Sequence, residues 1–143
     1  MELERVFVLY GTSNSGKTST LNELIEILRV SSDEIILDDN IDNNDHRFVC
    51  FANGKYVGVS TQGDCGTQVQ EHLDVIEKHC NIIFCATRTR GITCAHVVER
   101  FGDKLTWIQN LTMYNHKKDA FSNKDFVDAR YSQIAKMLST LVL

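Results

Sequence analysis

The 143-residue chain contains no proline, where about 5% is usual. That excludes proline-stiffened linkers and Pro-rich docking segments. It also has no C-x-x-C pair: the five cysteines, Cys50, Cys65, Cys80, Cys85 and Cys94, are odd in number, so zinc and a disulfide framework are poorly supported. Three of them stand in apolar strand-like or helix-like runs, which predicts buried free thiols in a reducing compartment. Long apolar runs are missing as well; none approaches the ~20 residues that span a bilayer. The opening MELERVFVLY puts acids before a short apolar run, the wrong pattern for a secretory signal. Basic charge is not in surplus: 15 Lys and Arg stand against 19 Asp and Glu, a net −4. Broad nucleic-acid binding is therefore disfavoured, while a local basic patch stays open. Together these features predict a soluble, cytoplasmic protein with no membrane partner.

What is present reads as one ordinary globular domain over residues 1–143. Apolar residues make up 43% and charged residues 24%, close to globular averages. Val6–Tyr10 is a short β-branched and aromatic run, read as a buried strand. Leu21, Leu24, Ile25 and Leu28 recur at helical spacing, giving a helix from about Lys17 to Arg29. Ile35–Leu37 is a candidate short strand, and Asp38, Asp39, Asp42 and Asp45 with three Asn read as an exposed loop. Asn53-Gly54, between two β-like runs, signals a tight hairpin. Val69, Leu73, Ile76 and Cys80 mark an amphipathic helix from Thr67. NIIFCAT is a continuous apolar run suited to a parallel strand buried on both faces.

A third helix is expected from Thr93 to Gly102, burying Cys94, Val97, Val98 and Phe101. Leu105–Gln109 reads as a further strand, with Trp107 in the core. The last helix is expected near Ser122, where Ser122 and Asp125 have capping-box spacing, with an apolar face of Phe126, Tyr131, Ile134, Leu138 and Leu141. This alternation predicts an α/β three-layer sandwich: a mostly parallel sheet of about five strands, helices on both faces and one antiparallel hairpin.

The chemistry concentrates between the first strand and the first helix. Gly11-Thr12-Ser13-Asn14-Ser15-Gly16-Lys17-Thr18, followed by Ser19, fits G-x-x-x-x-G-K-[ST] at every fixed position. Glycines let successive backbone N–H groups curl inward around phosphate oxygens, and the helix start adds its positive dipole end. A chance match in a chain this long is on the order of one in several hundred; the bland alternative is a Gly/Ser-rich turn. The motif resembles that of the P-loop NTPase superfamily, kinase-like small members in particular. The resemblance implies ATP and Mg²⁺ as ligands, with Lys17 on the β- and γ-phosphates and the Thr18 hydroxyl on the metal.

That superfamily usually carries an acid at the end of another strand. NIIFCATRTRG offers none; YVGVSTQGD offers Asp64, for which neutralising Mg²⁺, positioning a water or acceptor hydroxyl, and capping the next helix are all open roles. Arg88 and Arg90 follow a central strand at the edge where α/β ligands bind. They are candidates for gripping a transferring or acceptor phosphate, with surface ion pairing as the alternative. Thr61 and Gln62 are possible polar contacts near the γ-phosphate. The small-GTPase signatures D-x-x-G and N-K-x-D are absent, with NHKKD and NKD as near misses, so GTP is less favoured than ATP.

The acidic stretch Asp33–Asp45 reads as a solvated loop rather than a cation site. His72 and His79 read as residues on a helix flank. Two functions are therefore expected: a phosphotransferase or nucleotide hydrolase with an unidentified acceptor, or a nucleotide-dependent switch working through a protein partner or a homo-oligomer. A third expectation is a loop that keeps its shape structurally.

Overall fold

The computed structural model describes residues 2–11, 16–40, 45–62, 66–88, 92–109 and 124–143. In chain order the elements are β1 (Arg5–Tyr10), α1 (Lys17–Ser31), β2 (Glu34–Asn40), β3 (His46–Ala52), β4 (Lys55–Ser60), α2 (Gly66–Glu77), β5 (Ile82–Thr87), α3 (Ile92–Phe101), β6 (Leu105–Gln109) and α4 (Lys124–Ser139). One mixed sheet runs in the order β2-β3-β4-β5-β1-β6. Pairing is parallel for β4–β5, β5–β1 and β1–β6, and antiparallel where β3 meets β2 and β4. Among the described residues, five strands thus share one direction and only β3 opposes them.

Side-chain alternation sorts the strands' apolar residues into two clusters. Phe7 and Leu9 of β1 join Leu21, Leu24, Ile25 and Leu28 of α1 and Ala135 and Leu138 of α4. Val6 and Val8 join Leu73 and Ile76 of α2 and Val97 and Phe101 of α3. β5 is buried at every position, as a run with no polar alternation requires. The hairpin turns on Asn53 and Gly54, both at positive φ, the backbone that a two-residue turn needs.

Several expectations are corrected. The sheet has six strands rather than about five, because β2 extends through Asp38 and Asp39, which were expected in a loop. Pairing with β3 supplies the hydrogen bonds, and neighbouring side chains engage the acids: Asp38 pairs with Arg29 and His46, and Asp39 faces Arg47 at 3.6 Å. Burial alone would raise the Asp38 carboxyl, but the bonds from His46 and Arg29 outweigh it and hold it below its ordinary range. Trp107 is 39% exposed because β6 is an edge strand; its ring meets Tyr10 edge-on at 5.7 Å. Val98, Phe126 and Leu141 are also exposed, since the helices bury narrower stripes than their apolar spacing suggests. α2 ends at Glu77, and Cys80 lies buried just beyond it. Ser122 and the capping box it was expected to form lie outside the described residues, as does the side chain of Cys94.

Cys50, Cys80 and Cys85 are buried and free. Burial pushes their thiols up to about 11, about 12 and about 12 respectively, which leaves them protonated and poorly nucleophilic. Cys80 fills the space over Gly58 of β4: a Cβ there would stand 2.5 Å from Sγ and 3.5 Å from Ile76 Cδ1. Gly58→Ala is expected to cost about 1–3 kcal/mol through overpacking. Cys80→Ala in the same chain should recover part of that loss, read from urea midpoints; simple additivity of the two losses would contradict the contact.

Candidate functional site

The loop between β1 and α1 is tied down from both ends. The Gly11 amide donates to the Thr87 carbonyl of β5 at 3.3 Å. Gly16 caps α1 in the left-handed region, φ 87°, without a side-chain cap. A Cβ on Gly16 would collide with the Tyr131 ring of α4, standing 2.8 Å from its hydroxyl oxygen. Glycine is therefore required twice at this position, for its positive φ and for the close approach of Tyr131. Thr12, Ser13, Asn14 and Ser15 lie outside the described residues.

Lys17, the first residue of α1, is buried, with 5% of its surface exposed. Its Nζ donates to the Gly11 carbonyl at 2.8 Å, so the ammonium folds back across the loop to the end of β1. A buried ammonium needs such partners, since desolvation of an unpaired one is costly. No acid stands in the first turn of α1. The positive end of the helix is thus not neutralised by its own residues. Ser19 is exposed.

Thr18 reaches across to β4, its hydroxyl donating to the Thr61 carbonyl at 3.4 Å. Thr61 is a junction. Its hydroxyl accepts from the His46 amide at 2.8 Å and donates to Asp45 Oδ1 at 3.3 Å. Gln62 Nε2 donates to Asp45 Oδ2 at 2.7 Å. A carboxylate is thereby fixed by two side chains beside the residue that Thr18 contacts. Sequence reasoning missed Asp45 by reading it as part of a solvated loop. The available signal was its place directly before the β-like run HRFVCFA, whose antiparallel pairing brings the start of β3 to the end of β4.

Arg88, exposed, is the first residue past β5, at the same carboxyl-end edge. Arg90 and Asp64 lie outside the described residues. Among the described residues, no group of three or more His, Cys, Asp or Glu is placed to hold a metal ion. Ser60 Oγ at the end of β4, Thr87 Oγ1 at the end of β5 and His72 Nδ1 of α2 are buried, with no hydrogen-bond partner among the described residues. His72, expected on a flank, is only 5% exposed. Burial first, then the charge of Arg47, lowers its pKa from the ordinary 6.5, with Asp45 and Glu71 opposing in part.

His72 therefore carries a sign-definite pH effect. Below pH 6.5 the unfolded chain takes up a proton that the folded chain binds only at lower pH, so stability falls with falling pH. The slope is at most about 1.4 kcal/mol per pH unit. Denaturant unfolding between neutral and mildly acid pH should show that decline in the wild type and a shallower one in His72→Gln; equal slopes would contradict it. Compared with family models, with curated proteins and with solved structures, the chain matches none.

Proposed function

We propose that the chain is a P-loop ATP-binding protein that transfers the γ-phosphoryl group of Mg-ATP to a small acceptor or to water. The observation that carries this reading is the convergence at one sheet edge of Gly11, Gly16, Lys17 and Thr18, with Lys17 curled onto Gly11 and α1 starting after Gly16 without a side-chain cap among the described residues. The two core clusters support a three-layer α/β sandwich as its frame, and the missing guanine-reading pattern favours ATP over GTP. A cytoplasmic setting fits the absence, among the described residues, of a helix able to cross a membrane.

Backbone N–H groups of the Gly11–Thr18 loop and the start of α1 bind phosphate oxygens. The Lys17 ammonium exchanges its bond to the Gly11 carbonyl for the β- and γ-phosphate oxygens, so the charge is already positioned where it is needed. The oxygen-only donor set of Thr18 Oγ1 and, through water, Asp45 suits Mg²⁺, with Asp64 as the acid expected from sequence. The ion supplies neutralisation of the phosphate charge when bound. Asp45, held by Thr61 and Gln62, orients the attacking hydroxyl and receives its proton. The acceptor oxygen bonds to the γ-phosphorus, the bridging P–O bond breaks, and ADP leaves with the electron pair. Arg88 and Arg90 stabilise charge on the phosphoryl in flight.

A second reading, a nucleotide-dependent switch acting through a protein partner or a second copy, is favoured by the exposure of Arg88 at the site's rim. In that case specific turnover rises with protein concentration.

Calorimetric titration of Mg-ATP separates these roles. Lys17→Ala is expected to weaken binding roughly hundredfold, about 3 kcal/mol, with circular dichroism unchanged. Arg88→Ala should lower turnover more than binding. Unchanged affinity in a folded Lys17→Ala variant would end the reading.

A further inference from the structure

One helical turn past Thr18 a polar cavity opens between α1 and the β2–β3 edge, with a volume of about 360 Å³. Asn22, Glu23, Glu26 and Arg29 line it from α1; Asn40 and His46 face them. It adjoins the proposed reaction centre through bonds already described. The His46 amide donates to the Thr61 hydroxyl, and Thr61 accepts at its carbonyl from Thr18. Residues four apart share one helix face, so Asn22 stands about 6 Å along the helix from Thr18.

The charges of the wall decide what fits. Among the described residues of the wall, Arg29 is the one permanent cation, and it is engaged by Asp38 and, at 3.5 Å, by Glu26. His46 Nε2 also faces Asp38. Among the described residues, with Asp38 counted as the partner of Arg29 beside the wall, three carboxylates stand against one guanidinium. A phosphate ester or carboxylate entering here meets like charge. A hydroxylic or amine-bearing molecule instead meets amides, carboxylates and an imidazole that can pair with it on several sides. The volume lies at the lower end of small-molecule pockets, about 300–1,000 Å³.

We infer that this cavity is the phosphoryl-acceptor site and that it takes an uncharged or cationic polyhydroxyl compound, such as a hexose, hexosamine or nucleoside, rather than an anion. The inference rests on the phosphotransferase reading and names its substrate class. The acceptor's hydroxyl oxygen bonds to the γ-phosphorus of ATP, the β–γ bridging bond breaks toward ADP, and the hydroxyl proton passes to Asp45. The products are ADP and the phosphate ester, which the acidic wall then helps to expel.

The test begins without nucleotide, so that it does not depend on the loop. A panel of hexoses, hexosamines and nucleosides, each beside its own phosphate ester, is titrated into the ¹⁵N-labelled chain. At least one bare compound is expected to shift the amides of Asn22, Glu26, Asn40 and His46 saturably, and its phosphate ester should bind roughly tenfold more weakly. Glu23→Gln should narrow that gap for the same pair. Esters that bind as tightly as their parents, or silence from the whole panel, would overturn the inference.

Mg-ATP is then added to the compound that binds. Formation of its phosphate ester, lost in a folded Lys17→Ala variant that still binds the compound, confirms the acceptor role. ATP binding with no ester formed overturns the acceptor role but leaves the nucleotide site standing. No ATP binding at all overturns the phosphotransferase reading itself.

Discussion

The ammonium of Lys17 folded onto the carbonyl of Gly11 is the contact on which the site is organised. It closes the loop between the central strand β1 and helix α1 by joining the last residue before the loop to the first residue after it. Other elements hold the same few residues: β5 through the Gly11 amide, α4 through Tyr131 against Gly16, and β4 through Thr61 and Thr18. In the proposed function an anionic phosphate takes over this contact, since a charge-assisted hydrogen bond is stronger than one to a neutral carbonyl.

The distribution of buried polarity follows the same logic. Lys17 and Thr20 at the start of α1, Ser60, Thr61 and Gln62 at the end of β4, and Thr87 at the end of β5 are all buried. They crowd the carboxyl-end edge of the sheet, while the interior of β5 is apolar throughout. Leaving buried hydroxyls such as Thr20, Ser60 and Thr87 without partners costs about 1–3 kcal/mol each. A fold that tolerates this at one edge places its local conflicts where a polar ligand would bind.

Much of the frame was legible in the sequence because it follows from local periodicity. The 3.6-residue spacing of Leu21, Leu24, Ile25 and Leu28 and the unbroken NIIFCAT run each have one packing solution. Asn53-Gly54 likewise names its own turn. What was not legible depends on strand order. β5 stands between β4 and β1, so the β3–β4 edge meets the loop after β1 through α1, where Thr18 bonds to the Thr61 carbonyl, rather than from a neighbouring strand. Nothing local to Asp45 announces that position, and nothing local to Trp107 announces that β6 ends the sheet. Tyr131 fitted a helical apolar stripe equally well as core or as a cover over Gly16; only the packing of α4 against α1 decides between them.

The most direct test is a crystal structure of the chain with Mg²⁺ and a non-hydrolysable ATP analogue. The account predicts phosphate oxygens in the Gly11–Thr18 loop, Lys17 Nζ turned from the Gly11 carbonyl to the β- and γ-phosphates, and the metal on Thr18 with Asp45 behind it. A nucleotide bound elsewhere, with Lys17 still bonded to Gly11, would contradict it.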